Sequence, residues 1–220
     1  MPPAAIIGGV SRFRTICFDI GQVLVRFDPQ PALKRLAEAA DRDPVELWEA
    51  LSASNLLHHF EKGLLSTEAF HLAACQLLRK EIAFAPFCEI WADIFAPKAN
   101  IPTSLLRSLG QHYRLLALSN TDPIHFPYLR SRYELFECFN DFVLSYEVGA
   151  RKPEPRIYEV AIERSGGKAS AMLFIDDIAE YVAAAARLGI HTLQFRSLAA
   201  LLEDLRRLEV WPLPSEQVKN

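Results

Sequence analysis

Long apolar runs are missing from this sequence: no uninterrupted stretch nears the roughly 20 residues that a membrane-spanning helix requires. The N-terminus also lacks a basic region followed by a long apolar segment, so the chain is expected to be neither membrane-bound nor exported. Cysteine is scarce and scattered. Cys17, Cys75, Cys88 and Cys138 form no close pair at metal-site spacing and no small disulfide framework, which fits a reducing, cytoplasmic compartment. The six histidines include no i, i+4 pair in an acidic setting; His58-His59 is their only cluster, and adjacent positions on a helix face different ways. Neither sign of charge is in excess. The 24 basic and 27 acidic side chains give a net charge of -3 and are mixed along the chain, leaving no basic stripe for a nucleic acid. Internal repeats and low-complexity tracts are absent as well. The rest is ordinary globular composition, 50% apolar and 23% charged over 220 residues, enough for one large domain or two small ones.

Within that composition, four short polar clusters each follow an apolar run: Asp19, Ser119-Asn120, Lys152 and Asp176-Asp177. Thr15-Ile16-Cys17-Phe18, Leu115-Leu116-Ala117-Leu118 and Met172-Leu173-Phe174-Ile175 read as short strands buried on both faces. Asp19, Ser119 and Asp176 therefore fall at the carboxyl ends of strands, the edge where open parallel α/β sheets bind ligands. Cys17, inside the first run, reads as a small buried apolar residue.

From Ile101 onward, helical and strand patterns alternate. A helix runs to about Gly110, a strand to Leu118, a helix from near Ile124 to Arg132, and a strand at Phe142-Val143-Leu144. Helix at Pro155 to Arg164, strand at Met172 to Ile175, helix at Ala179 to Leu188 closed by Gly189, strand at Ile190 to Leu193 and helix at Leu198 to Leu208 complete the series. Such alternation predicts a doubly wound parallel α/β sheet. Between Pro29 and about Ala99 no strand-like run appears, and Leu33, Leu36, Ala37 and Ala40 recur at helical spacing. Asp43-Pro44 with Glu46 resembles a helix start, and Ser66-Thr67-Glu68 opens another with an apolar face of Ala69, Phe70, Ala73, Leu77 and Leu78. The expected organisation is a core from 11–28 and 100–208 with an all-helical insertion at 29–99. The first ten residues read as a lead-in, and Trp211-Pro212-Leu213-Pro214 starts a tail.

These residues resemble the haloacid dehalogenase superfamily, in its branch with a helical cap between the first and second motifs. Phe18-Asp19-Ile20-Gly21-Gln22-Val23-Leu24 is similar to the first motif and Leu118-Ser119-Asn120 to the second. Arg151-Lys152-Pro153-Glu154-Pro155 with Tyr158 is similar to the third, and Phe174-Ile175-Asp176-Asp177 to the fourth. The resemblance implies a Rossmann-like core and Mg²⁺-dependent hydrolysis of a phosphate ester. Asp19, ionised at neutral pH, would attack phosphorus and form an acyl phosphate that water later cleaves. Asp19, the Gly21 carbonyl and Asp177 would hold the metal, with Asp176 contributing directly or through water. Lys152 would neutralise phosphoryl oxygens and hold Asp19, while the Ser119 hydroxyl and the Asn120 N–H donate to them.

One position departs from the commonest phosphatase pattern. Where a second Asp usually lies two residues after the nucleophile to protonate the leaving alcohol, this chain has Gly21. General acid-base help is typically worth about 10² to 10⁴ in rate, so either another group supplies it or the leaving group needs little protonation. Sugar 1-phosphates meet the second condition, and the Asp-x-Gly-x-Val form resembles phosphatases of the glucose-1-phosphate type. Glu61, in the cap loop Phe60-Glu61-Lys62-Gly63, is the candidate substitute acid and substrate contact, although its position alone reads as a solvated helix-end carboxylate; His58 and His59 could also reach the cleft, with half-buried packing of one ring the plainer account. The expected substrate is a small phosphorylated metabolite such as a sugar phosphate. The alternatives are a 2-haloacid dehalogenase, which uses an Asp nucleophile without the second Asp, and an inert binding module. Phosphomutase chemistry would demand the acid that Gly21 lacks. Hinges for cap closure are expected near Phe27 to Pro29 and Lys98 to Pro102.

Overall fold

The computed structural model describes residues 12–210; the expected lead-in over 1–10 and the tail from Trp211 lie outside them. Among the described residues, seven strands and eleven α-helices follow in chain order. The strands are β1 (Thr15–Phe18), β2 (Val25–Phe27), β3 (Phe95–Ala99), β4 (Arg114–Ser119), β5 (Asp141–Leu144), β6 (Met172–Asp176) and β7 (His191–Gln194). Helices α1 (Gln30–Ala39), α2 (Pro44–Ala53), α3 (Leu56–Glu61), α4 (Thr67–Leu78) and α5 (Phe84–Ala92) lie between β2 and β3. The later helices are α6 (Thr103–Gly110), α7 (His125–Arg132), α8 (Ser145–Val148), α9 (Pro155–Arg164), α10 (Ala179–Arg187) and α11 (Leu198–Arg207).

The main sheet runs β5-β4-β1-β6-β7, and every neighbouring pair is parallel. Alternate residues of one strand point to opposite faces, and here both faces are covered. Ile16, Phe18, Leu115, Ala117, Leu173 and Ile175 belong to one apolar cluster, whereas Cys17, Leu116, Leu118, Met172 and Phe174 belong to another. Burial on both sides is why these strands read as continuous apolar runs. The sheet grows from β1 outward through β4 to β5, then resumes across β1 at β6. That reversal opens a crevice beyond the carboxyl ends of the central strands.

The insertion carries its own core. Leu33, Leu36, Leu47, Leu51, Phe60, Phe70, Phe87 and Trp91 are buried together there, with Phe60 and Phe70 stacked at 4.0 Å between ring centroids. Asp43 caps α2, accepting from the Val45 and Glu46 N–H groups, and Ser66 caps α4 through the Ala69 N–H. The buried face of α4 is Phe70, His71, Ala74 and Leu78. Ala69, Ala73 and Leu77 flank it, a rotation of part of a turn from the expected stripe, because α4 faces both α2 and α5. The insertion is not wholly helical. Phe95–Ala99 pairs antiparallel with β2, so the two chain crossings between sheet and helices form one ribbon, extended by the Asp28 N–H bond to the Ile94 carbonyl at 2.8 Å.

Candidate active site

The loop after β1 turns sharply, with the Asp19 carboxylate accepting from the Ile20 N–H at 2.7 Å. Asp19 is itself anchored to the neighbouring strand through its N–H and the Ile175 carbonyl at 2.9 Å. At the end of β6, Asp176 accepts from the Ile178 N–H at 2.8 Å, and Gln194 binds the Asp177 carbonyl at 2.9 Å. Strand pairing thus sets Asp19 and Asp176 side by side. Asp19, Asp176 and Asp177 each offer an oxygen within 4.8 Å of the others'.

Lys152 enters from the loop before α9 and is almost fully buried. Its Nζ lies 2.7 Å from Asp19 Oδ1 and 2.7 Å from Asp176 Oδ2. The Asn120 side chain fixes that loop, donating to the Lys152 carbonyl at 3.0 Å and accepting from its N–H at 2.8 Å. Ser119 is buried beside it, its hydroxyl donating to the Asn120 carbonyl at 3.3 Å. Ser145, at the end of β5, accepts from the Thr121 N–H and donates to the Thr121 carbonyl, both at 3.0 Å. All four sequence clusters therefore meet at one edge.

Three carboxylates cluster here, two of them in contact with the one ammonium. Burial raises the Asp19 carboxyl to about 7, with Asp176 and Asp177 adding to the rise against Lys152. Asp177 is raised by burial and then by Asp176. Burial works against the charge on Lys152, yet Asp19 and Asp176 together hold its ammonium above the ordinary range. The excess negative charge and the hard oxygen donors suit a divalent cation such as Mg²⁺. The Gly21 carbonyl accepts from the Val23 N–H at 2.6 Å and keeps a second lone pair for such an ion.

Gly21 has a structural counterpart in Phe27. A Cβ at position 21 would meet the Phe27 ring at 2.9 Å, so the aromatic ring occupies space that a side chain there would need. Gly63 allows another close approach, between insertion and sheet domain. With φ of +66°, a Cβ there would fall 2.1 Å from the Tyr146 backbone oxygen. The adjoining Glu61 pairs with Arg151 at 2.6 Å and Lys62 with Glu154 at 2.9 Å. Glu61 is not the solvated helix-end carboxylate that its position suggests: burial raises its carboxyl, opposed by Arg151. His58 and His59 are both exposed, contrary to the expected half-burial of one ring; His58 Nδ1 lies 2.8 Å from Arg151.

Sequence reasoning missed the pair formed by Asp122 and His125, three residues past Ser119. His125 Nδ1 lies 2.6 Å from Asp122 Oδ2, and its Nε2 lies 2.8 Å from the Trp91 carbonyl. Trp91 Nε1 donates to the same carboxylate at 3.3 Å. Asp122-Pro123 reads locally as a turn, and nothing nearby in sequence signals the partner on α5.

The model of the haloacid dehalogenase-like hydrolase family matches residues 13–189. A D-ribitol-5-phosphate phosphatase of Bacteroides thetaiotaomicron is 26% identical over 187 residues, 82% of this chain and 91% of that protein. The sesquiterpene phosphatase astK of Aspergillus oryzae is 28% identical over 202 residues, 89% of this chain and 96% of that one. Among solved structures, a haloacid dehalogenase family enzyme of B. thetaiotaomicron in complex with magnesium and inorganic phosphate superposes with a TM-score of 0.73. It is 24% identical and covers 84% of this chain and 96% of its own.

Proposed function

Because the chain belongs to the haloacid dehalogenase-like hydrolases, we propose that it is a Mg²⁺-dependent hydrolase of small phosphate monoesters working through an aspartyl-phosphate intermediate. The observation that carries this reading is the cluster at the sheet's carboxyl edge, where buried Asp19 and Asp176 hold Lys152 and half-buried Asp177 offers a third carboxylate beside them. Asp19, Asp176, Asp177 and the Gly21 carbonyl would hold Mg²⁺. The ion supplies charge neutralisation and polarisation of a phosphoryl oxygen. The named relatives are phosphatases, and the magnesium and phosphate bound in the solved neighbour agree with this donor set.

In this reading an Asp19 carboxylate oxygen bonds to phosphorus as the bond from phosphorus to the alcohol oxygen breaks. Water then attacks phosphorus, releasing inorganic phosphate and regenerating the carboxylate. Lys152 holds the attacking carboxylate in place and faces the phosphoryl group. The Ser119 hydroxyl and Asn120 N–H serve the equatorial oxygens, where transition-state charge spreads. Asn120 adds a second service by clamping the Lys152 peptide. Glu61 lies at the edge of the cleft that receives the alcohol. The helical insertion acts as the cap over that cleft.

The 2-haloacid dehalogenase alternative has no use for the excess of carboxylates, which would repel its own anionic substrate. The test is phosphate release from a panel of monoesters with and without Mg²⁺. Wild-type protein should release phosphate only with the metal, and Asp19→Asn should lose about 10³-fold or more of the rate. Metal-independent halide release from a 2-haloacid, or silence across the whole panel, overturns the reading.

A further inference from the structure

The phosphoryl group leaves the identity of the alcohol open, and relatives acting on a polyol phosphate and on a sesquiterpene phosphate illustrate how widely it varies. A cavity of about 160 Å³ lies between insertion and sheet domain. Its apolar wall includes Phe27, Leu33, Trp48, Leu57, Trp91 and Ile94. Three of its lining residues lead to the candidate site. Phe27 rests over Gly21, Asp122 follows Ser119 by three residues, and Glu61 is bound to Arg151, the neighbour of Lys152.

Two of the polar groups at its edge, Asp122 and His125, are committed to one another and to Trp91, and the third, Glu61, is ion-paired with Arg151. Asp122 accepts from the Ile124 and His125 N–H groups at 2.8 Å each, as well as from Trp91 Nε1 and His125 Nδ1. Those four contacts match the lone-pair sites of a carboxylate. His125 spends its other nitrogen on the Trp91 carbonyl. A polyol or sugar seated here would bury several hydroxyls with few partners, which is costly. A hydrocarbon would not. Phe27 and Trp48 are 38% and 40% exposed, large apolar surfaces left open at the cavity's rim.

The volume accommodates one ring, since an apolar cavity of about 150 Å³ holds benzene. Resting on the phosphatase reading, we propose that this cavity receives a compact apolar alcohol of about one ring, of which a single-ring phenol is the best fit. A phenol with a pKa near 10 also departs as phenolate with little help, as the absence of an acid at Gly21 requires. The phenolate then takes its proton from water.

The experiment compares kcat/KM for phenyl phosphate, ribitol 5-phosphate, glucose 1-phosphate and acetyl phosphate, the last too small to need the cavity. Wild-type protein should favour phenyl phosphate over either hydroxylated ester by about 10-fold or more, and Trp48→Ala should lower the phenyl-to-acetyl ratio about 5-fold. Leu57→Asn should lower the same ratio, which guards against a local rearrangement at Trp48. Equal or better use of the hydroxylated esters, or a ratio unmoved in both variants, overturns the proposal while Mg²⁺-dependent acetyl phosphate hydrolysis leaves the phosphatase reading standing. No phosphate from any of the four compounds overturns the phosphatase reading itself.

Discussion

Lys152 touches two carboxylates and Gly21 makes room for one ring, and both facts show how much a single residue decides here. An ammonium with two buried partners is strongly committed, so a bound phosphate would have to compete with or extend an existing ion triad. Gly21 and Phe27 form a matched pair: one lacks the Cβ that the other's ring would meet at 2.9 Å. Their substitution effects should therefore not add. Gly21→Ala and Phe27→Ala, measured singly and together by denaturant unfolding, are expected to show a coupling energy of about 0.5 to 1.5 kcal/mol. Additive losses would mean that the ring moves aside freely. Position 21 was legible in the sequence as a departure from the motif, but Phe27 as its counterpart was not, because the ring's direction depends on the β2 pairing.

At the level of elements, the linkage between α5 and α7 is the most informative. His125 opens α7 and faces Asp122, the Trp91 carbonyl and, farther away, Glu61. Its ring stacks on Trp91 at 5.6 Å and meets Phe95 edge-on at 5.4 Å. Burial opposes the imidazolium charge, yet Asp122 outweighs it and raises His125 above the ordinary range. Asp122 is lowered on balance, the His125 charge and the hydrogen bonds overcoming its burial. A raised His contributes stability fully below its unfolded pKa and loses it as pH rises through the folded value, whereas a lowered Asp loses its share as pH falls. The pair is thus strongest from about pH 5 to 6.5. His125→Gln should cost roughly 3 kcal/mol at pH 6 and clearly less at pH 9, read from unfolding curves at both. A gap that stays constant with pH would show His125 to be neutral throughout.

The elements themselves were unevenly legible. Strands β1, β4 and β6 stand out because burial on both faces demands unbroken apolar runs. β3 did not, because Phe95-Ala96-Pro97-Lys98-Ala99 carries a proline and a lysine and is only partly buried. Its extended form comes from pairing with β2 across the whole insertion, which no local pattern announces.

For the molecule as a whole, the charge imbalance at the sheet edge sets a testable demand. Apo protein holds three clustered carboxylates against Lys152, so a cation bound there should stabilise the fold by mass action. At pH 7.5 and about 100 times its Kd, Mg²⁺ should add about 2.7 kcal/mol, seen as a rise in Tm, and Asp177→Asn should lose most of that gain. An unchanged Tm across millimolar Mg²⁺ would place the metal elsewhere or nowhere. Closure of the insertion over the cleft, if it occurs, would belong to this scale too. The two crossings are tied as the β2–β3 ribbon, so closure would bend a paired hinge rather than two independent linkers.

Sequence by itself determined the parallel sheet and the placing of Asp19, Ser119 and Asp176 at the ends of its strands, because strand burial and chain order are local or nearly local properties. Tertiary structure alone decided that Lys152 bridges Asp19 and Asp176, that Glu61 meets Arg151, and that Asp122 and His125 close one side of an apolar cavity. These contacts join residues from separate elements, and their directions follow from how helices pack over the sheet, which spacing along a chain does not encode.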